Sequence, residues 1–204
     1  MNDSFFSLPQ EKRNAIINAG FRVFSQNSYK KSPGSEIALE AGISKALLFY
    51  YFKNKKELYL FLLGYGAKVT HNELKKQGCY DKGDFFEVFL SGLRVKAELM
   101  RKYPELSMFQ MRAYYEKEPE LRRGIDAVIA EYSGYERQAD ALKLEPRDFI
   151  EGLDLEMMYR DIYLASQGYL WECFCAGKTD IDKMERDFIK MAEFWKSVYK
   201  RRKQ

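Results

Sequence analysis

A chain of 204 residues, 46% of them hydrophobic, is long enough for one or two domains with a real core. The first 60 residues hold nine Lys/Arg against five Asp/Glu and carry the whole net charge of +4, because the remainder is neutral. A basic segment on a neutral body is typical of a protein that binds a polyanion, although four charges can also fall unevenly by chance. The sequence has no apolar run of about 18 residues and no signal peptide, which excludes a membrane-spanning or secreted class and predicts a soluble, cytoplasmic protein.

About nine helices and no internal repeat are predicted from the spacing of the apolar residues. The predicted helices span residues 9–26, 33–41, 45–51, 55–77, 84–103, 105–115, 119–142, 154–177 and 180–198, and Thr179 is the alternative start of the last one. No stretch alternates between apolar and polar residues over a strand length, so the fold class is all-α.

Residues 32–58 predict two short helices, a tight turn and the start of a longer helix. Ser32 precedes Pro33, as a helix N-cap precedes a proline at the first helical position. Gly42 can take the left-handed conformation that ends a helix, and Ser44 can cap the next one. This is the helix-turn-helix pattern, in which the second helix reads DNA.

A long helix follows the second short helix. Asn54 and Glu57 form a capping-box-like start, and Lys55 lies in the first turn, where free amides and the helix dipole favour phosphate. Lys45 opens the reading helix and can reach a guanine edge or a phosphate. Serines at the start of the first short helix can donate to another phosphate. Solvated lysines and capping serines are the simpler explanation of each feature.

Residues 10–60 resemble the DNA-binding domain of the tetracycline-repressor (TetR) family of bacterial regulators. The motifs that match are Ala19 to Phe24, Tyr29, Ile37-Ala38, Ala41-Gly42-Ile43-Ser44, Phe49-Tyr50-Tyr51-Phe52 and Lys53-Asn54-Lys55 through Leu58. The rest of the chain matches only in its layout of helices. The resemblance implies a helix-turn-helix DNA-binding domain over residues 1–54 and a helical ligand-binding and dimerisation domain over residues 55–204.

The function implied by the resemblance is that of a ligand-responsive transcriptional regulator, a repressor by the habit of the family. Such a protein binds a palindromic double-stranded operator as a homodimer and is released by a small apolar or aromatic inducer. The implied DNA-binding residues are Ser32, Ser35, Ser44, Lys45, Ala46, Leu47, Phe49, Tyr50, Tyr51 and Lys55. Tyr51 is expected at a backbone phosphate and Tyr50 nearer the core.

The reading helix is more apolar than the family's pattern. Leu47 and Phe49 stand where relatives often carry threonine and tyrosine, so hydrogen bonds from those hydroxyls cannot be made here. We expect the two side chains to touch thymine methyls or sugars, or simply to pack.

Large side chains in the second domain are candidates for an effector cavity and a dimer surface, and core packing explains most of them equally well. The candidate ligand-binding residues are Phe61, Tyr65, Phe86, Phe89, Phe109, Met111, Tyr114 and Trp171. The candidate dimer residues are Ile162, Ala165, Tyr169, Phe188, Trp195 and Tyr199, where small residues beside large ones allow four-helix packing. By resemblance, an effector shifts the long helix from Lys55 and separates the two DNA-binding heads.

Two other classes of protein are the alternatives to a regulator. An enzyme is not expected, because His71 stands alone and no phosphate loop, nucleophile elbow or metal spacing is present. Cys79, Cys173 and Cys175 likewise lack metal-ligand spacing, so neither a cofactor nor a metal is expected. A helical adaptor that has lost DNA binding stays open because of the missing hydroxyls at Leu47 and Phe49.

Overall fold

The computed structural model describes residues 3–133, 142–176 and 180–201, and this part of the chain is all-α. Its helices are α1 Gln10–Gln26, α2 Gly34–Glu40, α3 Lys45–Tyr51, α4 Lys55–Lys76, α5 Phe85–Lys102, α6 Pro104–Tyr115, α7 Pro119–Ser133, α8 Leu155–Cys175 and α9 Ile181–Tyr199. Short 3-10 turns lie at Asp3–Phe5, Cys79–Asp81 and Pro146–Asp148. Within these described ranges the β structure is a single bridge between Phe149 and Lys200. The predicted fold class is confirmed.

Three of the predicted helices begin after an aspartate that caps them. Asp84 accepts the amides of Phe86 and Glu87 at the start of α5. Asp154 and Asp180 each accept a hydrogen bond of 2.9 Å from the amide three residues on, which satisfies a backbone donor that the helix leaves unpaired. The predicted ends of the seventh and eighth helices, near residues 142 and 177, cannot be compared because residues 134–141 and 177–179 lie outside the described ranges.

The chain divides into two compact units. Unit 1 contains the residues up to Val69 together with Tyr103–Ala130, and unit 2 contains Thr70–Lys102 and the residues from Glu131 onward. Helix α6 therefore packs in the same unit as the helix-turn-helix. The predicted functional boundary at residue 54 stays a prediction, since a division by packing does not test it.

The core of unit 1 is built from aromatic rings of α1, α4 and α6. Tyr59 lies 4.9 Å from both Phe24 and Phe109, centroid to centroid, and both pairs are edge-on. Phe21 lies 5.6 Å from Phe109. Edge-to-face pairs add about 0.5–1.5 kcal/mol each to the burial of their area, so these rings hold α1 firmly against α4 and α6.

Unit 2 has its own core, in which α5, α8 and α9 meet. Its fully enclosed members are Phe85, Phe86, Leu144, Phe149, Met158, Ile162, Ala192 and Trp195. Two sets of charges tie the helix ends together: Lys200 pairs with Asp84, and Arg101 pairs with Asp182 and Glu185. The end of α9 is thereby fixed to the start of α5.

In the part of the chain that the structure describes, no helix combines the length and the apolar character that crossing a bilayer demands. The same residues contain no group of three or more His, Cys, Asp or Glu side chains that could hold a metal ion. The three cysteines are free thiols, with Cys79 buried.

Candidate nucleic-acid interface

Helices α2 and α3 form a helix-turn-helix closed by backbone hydrogen bonds. Gly42 has a φ of 66°, a left-handed conformation that glycine adopts without a Cβ penalty. The amide of Ile43 donates to the carbonyl of Ala38 at 2.9 Å and closes the turn. Ser44 then accepts the amide of Leu47 at 3.1 Å, so the predicted cap of α3 is present.

The two faces of α3 differ in exposure. Leu48 and Tyr51 point into the core of unit 1, where Phe52 is also fully buried. The opposite face is solvent-exposed, and its exposed members are Ser44, Lys45, Ala46, Leu47 and Tyr50. Five of the ten predicted DNA-binding residues therefore lie together on the surface of one short helix and its cap.

The predicted environments of Tyr50 and Tyr51 are both wrong, because Tyr50 is the exposed residue and Tyr51 the buried one. Tyr50 is 58% exposed, and Tyr51 is only 7% exposed. Helical spacing explains the exchange, because Tyr51 lies three residues beyond the buried Leu48 and so shares its face. The rings of Phe5 and Tyr51 meet edge-on at 6.0 Å, and Tyr51 is thus a core residue.

The prediction for Ser32 is also wrong. Helix α2 begins at Gly34 with Pro33 at the cap position, so Ser32 lies one residue too early to cap it. Its side chain is fully buried, and its hydroxyl donates to the carbonyl of Ser28 at 3.0 Å. A hydroxyl enclosed in this way cannot reach a phosphate. Ser35, by contrast, is exposed at the start of α2.

Lys55 is held inside unit 1 instead of pointing freely outward. Its ammonium donates to the carbonyl of Tyr29 at 2.7 Å and lies 4.2 Å above the centre of the same ring. The predicted capping box is formed nearby, since Asn54 accepts the amide of Glu57 at 2.9 Å and Glu57 accepts the amide of Lys53 at 2.8 Å. The role of Lys55 as a phosphate ligand stays a prediction, and its observed role is to fix α4 to the loop before α2.

Phe49 packs within the helix-turn-helix. Its ring lies over Gly34, where an added Cβ would stand only 2.6 Å from the Phe49 Cζ atom. A half-buried ring in this place contributes to the angle between α2 and α3. Of the two alternatives predicted for Phe49, DNA contact or packing, packing describes its environment.

Tyr29 joins the head (helices α1–α3) to the other helices of unit 1. Its amide donates to Glu116 at 3.0 Å, and its carbonyl accepts from Lys55. Burial, together with the nearby carboxylates of Glu120, Glu118 and Glu116, raises the pKa of the Tyr29 hydroxyl well above its ordinary value. One loop residue is therefore bonded to α4 and to the turn after α6, and it lies near the carboxylate of Glu120 on α7.

Further contacts reinforce this junction, which we call the Tyr29 latch. Lys30 pairs with Glu118 at 3.0 Å, and the Arg112 guanidinium donates to the carbonyl of Ser25 at 2.5 Å. The carboxylate of Glu116 also accepts the amide of Glu118, which holds the α6–α7 turn in shape. Nothing in the spacing of the sequence predicts these charge pairs, because their partners are about 90 residues apart.

The predicted ligand-binding residues divide between the two units. Phe61, Tyr65, Phe109, Met111 and Tyr114 belong to unit 1, and Phe86, Phe89 and Trp171 belong to unit 2. Phe109 and Phe86 are fully enclosed by the rings of their own cores, so core packing accounts for both. The other six retain some exposed surface.

A shallow depression of about 270 Å³ lies on unit 2, between the 146–155 segment and Arg201. Its lining residues are Pro146, Arg147, Phe149, Ile150, Glu151, Gly152, Leu153, Leu155 and Arg201. None of the predicted ligand-binding residues lines it.

The predicted dimer residues need a correction. Ile162, Phe188 and Trp195 are buried within unit 2, because they face the partner helix of the same chain. Tyr169 donates from its hydroxyl to Asp187 at 2.7 Å, which also links α8 to α9. The four large apolar side chains that do face solvent on these two helices are Met157, Leu164, Phe194 and Val198.

Helical spacing could have identified this exposed set. Leu164 follows Met157 by seven residues and Val198 follows Phe194 by four, so each pair lies on one face of its helix. The sequence shows apolar residues on both faces of each helix, and only packing distinguishes the face turned to the core. Exposed apolar residues that recur on one face of each of two neighbouring helices suit a protein–protein contact.

Residues 16–61 match the family model described as bacterial regulatory proteins, tetR family. The chain is also 33% identical over 98 residues to the HTH-type transcriptional regulator RutR of Escherichia coli K12, which covers 47% of this chain and 44% of RutR. The chain thus matches less than half the length of this curated relative.

Similarity to solved structures extends over nearly the whole chain. A TetR family regulator from Chloroflexus aurantiacus superposes with a TM-score of 0.70 at 22% identity and covers 98% of this chain and 99% of its own. The regulator FadR from Bacillus subtilis, in complex with stearoyl-CoA, superposes with a TM-score of 0.68 at 19% identity over 88% of this chain and 96% of its own. At these identities the likeness establishes the shared fold.

Replacing Glu116 with alanine should loosen the Tyr29 latch. The Tyr29 amide loses its acceptor, and a buried unpaired donor costs about 1–3 kcal/mol in the free energy of unfolding. Urea unfolding should report this loss, and hydrogen exchange should report faster exchange at the Tyr29 amide. Glu105→Ala, at an exposed site in the first turn of α6, is the matched control and should change neither. Unchanged exchange at Tyr29 in Glu116→Ala would contradict this role.

Proposed function

We propose that the protein is a ligand-responsive transcriptional regulator of the tetR family, on the premise that residues 16–61 match that family's model. It acts in the cytoplasm as a repressor, binds a palindromic operator as a homodimer, and leaves the operator when a small apolar or aromatic inducer binds. Its action is binding, without catalysis.

The observation that carries the proposal is the exposed face of α3. Lys45 and Tyr50 stand on it, and the opposite face is sealed into unit 1. An exposed helix of a helix-turn-helix fits the major groove, where an ammonium can contact a guanine edge or a phosphate. The surplus of basic residues in the first 60 positions supplies the attraction for the backbone.

A homodimer supplies the second reading helix that specific binding needs. One helix-turn-helix makes few base contacts, so regulators of this kind span successive major grooves about 34 Å apart or a multiple of that. Leu164 on α8 and Phe194 and Val198 on α9 are the exposed apolar residues that a second copy would cover. They replace the buried residues first predicted for this surface.

The Tyr29 latch offers a route by which an effector changes DNA binding. Lys55 stands at the start of α4 and holds the carbonyl of Tyr29, while Glu116 holds the amide of the same residue. A displacement of α4 or of the α6–α7 turn therefore moves the loop between α1 and α2 as well. The heads would then change their separation without any contact between effector and DNA.

Binding to duplex DNA tests the main proposal. The logarithm of the association constant should fall steeply with the logarithm of salt concentration, and Lys45→Ala should make that slope shallower by about one if the Lys45 ammonium binds a phosphate. Lys75→Ala, at an exposed position of α4 in unit 2, is the control and should leave the slope unchanged. The same titration separates a regulator from a helical adaptor, which would not bind duplex DNA at all.

Phe194→Asp should convert the dimer into a monomer. The substitution places a charge in the apolar surface that the partner would bury, which costs far more than it does at a solvated site. Sedimentation equilibrium should show the loss of dimer, and operator affinity should fall with it. Glu193→Ala, at the adjacent exposed position of the same helix, should stay dimeric. A Phe194→Asp protein that remains fully dimeric would move the interface elsewhere.

An effector should lower operator affinity by about 5- to 150-fold, the range of coupling free energies of 1–3 kcal/mol. We would titrate flat and apolar compounds, with stearoyl-CoA among them because it occupies the FadR structure from Bacillus subtilis. Binding is followed by the fluorescence of the two tryptophans and operator release by anisotropy. A compound that binds tightly and leaves operator affinity unchanged would argue against the coupling.

A further inference from the structure

We propose that α3 recognises thymine in the operator through its 5-methyl group, and that Leu47 is the side chain that makes this contact. The inference rests on the proposed function, because it specifies how the same reading helix would choose its DNA. It names a chemical feature of the partner, a methyl group in the major groove, which the family match leaves undefined.

Few side chains of the reading segment offer a polar group to a base edge. The Ser44 hydroxyl caps the helix by accepting the amide of Leu47, which leaves its O–H as the donor. Tyr51 and Ser32 are buried in unit 1. The ring of Phe49, which has no hydroxyl, lies over Gly34. The exposed side chains of α3 that keep a polar end are Lys45 and Tyr50.

Leu47 lies at the centre of the exposed face of α3. It is 37% exposed, and it lies between the exposed Ala46 and, one turn on, the exposed Tyr50. An apolar side chain in the major groove cannot read a donor or an acceptor, but it can cover the methyl group that distinguishes thymine from the other bases. Covering that methyl removes apolar surface from water on both partners, which is favourable in the groove as in a protein core.

The exposed side chains of α3 therefore suit different groups of the DNA. Lys45 carries a charge that suits a guanine edge or a phosphate, and the Tyr50 hydroxyl suits a phosphate or a base edge. Ala46 and Leu47 carry only methyl and methylene groups. A half-site should therefore hold at least one thymine opposite the centre of α3.

Deoxyuridine provides the test, because it differs from thymidine only in lacking the 5-methyl group. An operator is first selected from random duplex DNA with the wild-type protein. Each thymine of a half-site is then replaced singly by deoxyuridine, and the dissociation constant is measured again. At one or two positions it should rise about three- to fivefold, the factor expected for one buried methyl group.

The Leu47→Ala variant completes a double-substitution cycle. In this variant the thymine and deoxyuridine operators should bind with equal affinity, because the side chain that senses the methyl is gone. Leu39→Ala is the matched control, since Leu39 is another exposed leucine of the head but lies on α2, and it should keep the wild-type ratio. Thermal unfolding verifies that both variants are folded.

The outcomes separate the inference from the proposed function. Equal affinity of the wild-type protein for thymine and deoxyuridine at every position overturns the methyl contact and leaves the regulator intact. A thymine effect that survives in Leu47→Ala overturns the assignment to Leu47. No binding to any duplex DNA overturns the regulator and the inference together. The deoxyuridine series needs only wild-type protein, so a variant that fails to fold does not affect it.

Discussion

The bonds around Tyr29 are the constraint on which the arrangement of unit 1 depends. The residue lies in the loop between α1 and α2, and it is the place where the head meets α4, α6 and α7. The Lys55 ammonium donates to its carbonyl and the Glu116 carboxylate accepts from its amide, so both backbone groups of this buried residue are satisfied by side chains from α4 and from the turn after α6. Aromatic packing beneath it brings α1, α4 and α6 together, and these directional bonds fix how the three helices are aligned.

Local signals predicted the helices well, because each depends on neighbours in the sequence. The cap at Ser44, the capping box of Asn54 and Glu57, and the aspartate caps of α5, α8 and α9 act within three or four residues. The prediction that Ser32 caps α2 was wrong. A serine before a proline resembles a cap, but the chain buries this serine and begins the helix beyond the proline.

The surfaces were harder to predict than the elements, since which face of a helix is exposed depends on partners far along the chain. Tyr50 and Tyr51 are adjacent and chemically identical, and Tyr51 is the one that shares the buried face of Leu48. Phe188 and Trp195 were assigned to a dimer surface because large apolar residues suit either a core or an interface. In the structure both lie in the core of unit 2, and Phe194 and Val198 are exposed to solvent.

The contact between Gly34 and Phe49 has a consequence for how this head can change. A Cβ at position 34 would stand 2.6 Å from the Phe49 ring, so any other residue there would force the ring to move. A larger residue at 34 requires a smaller one at 49 if the angle between α2 and α3 is to be kept. In sequences that preserve this geometry the two positions are therefore expected to covary. Exchanging the reading helix of a relative into this head would require its residue at position 34 as well.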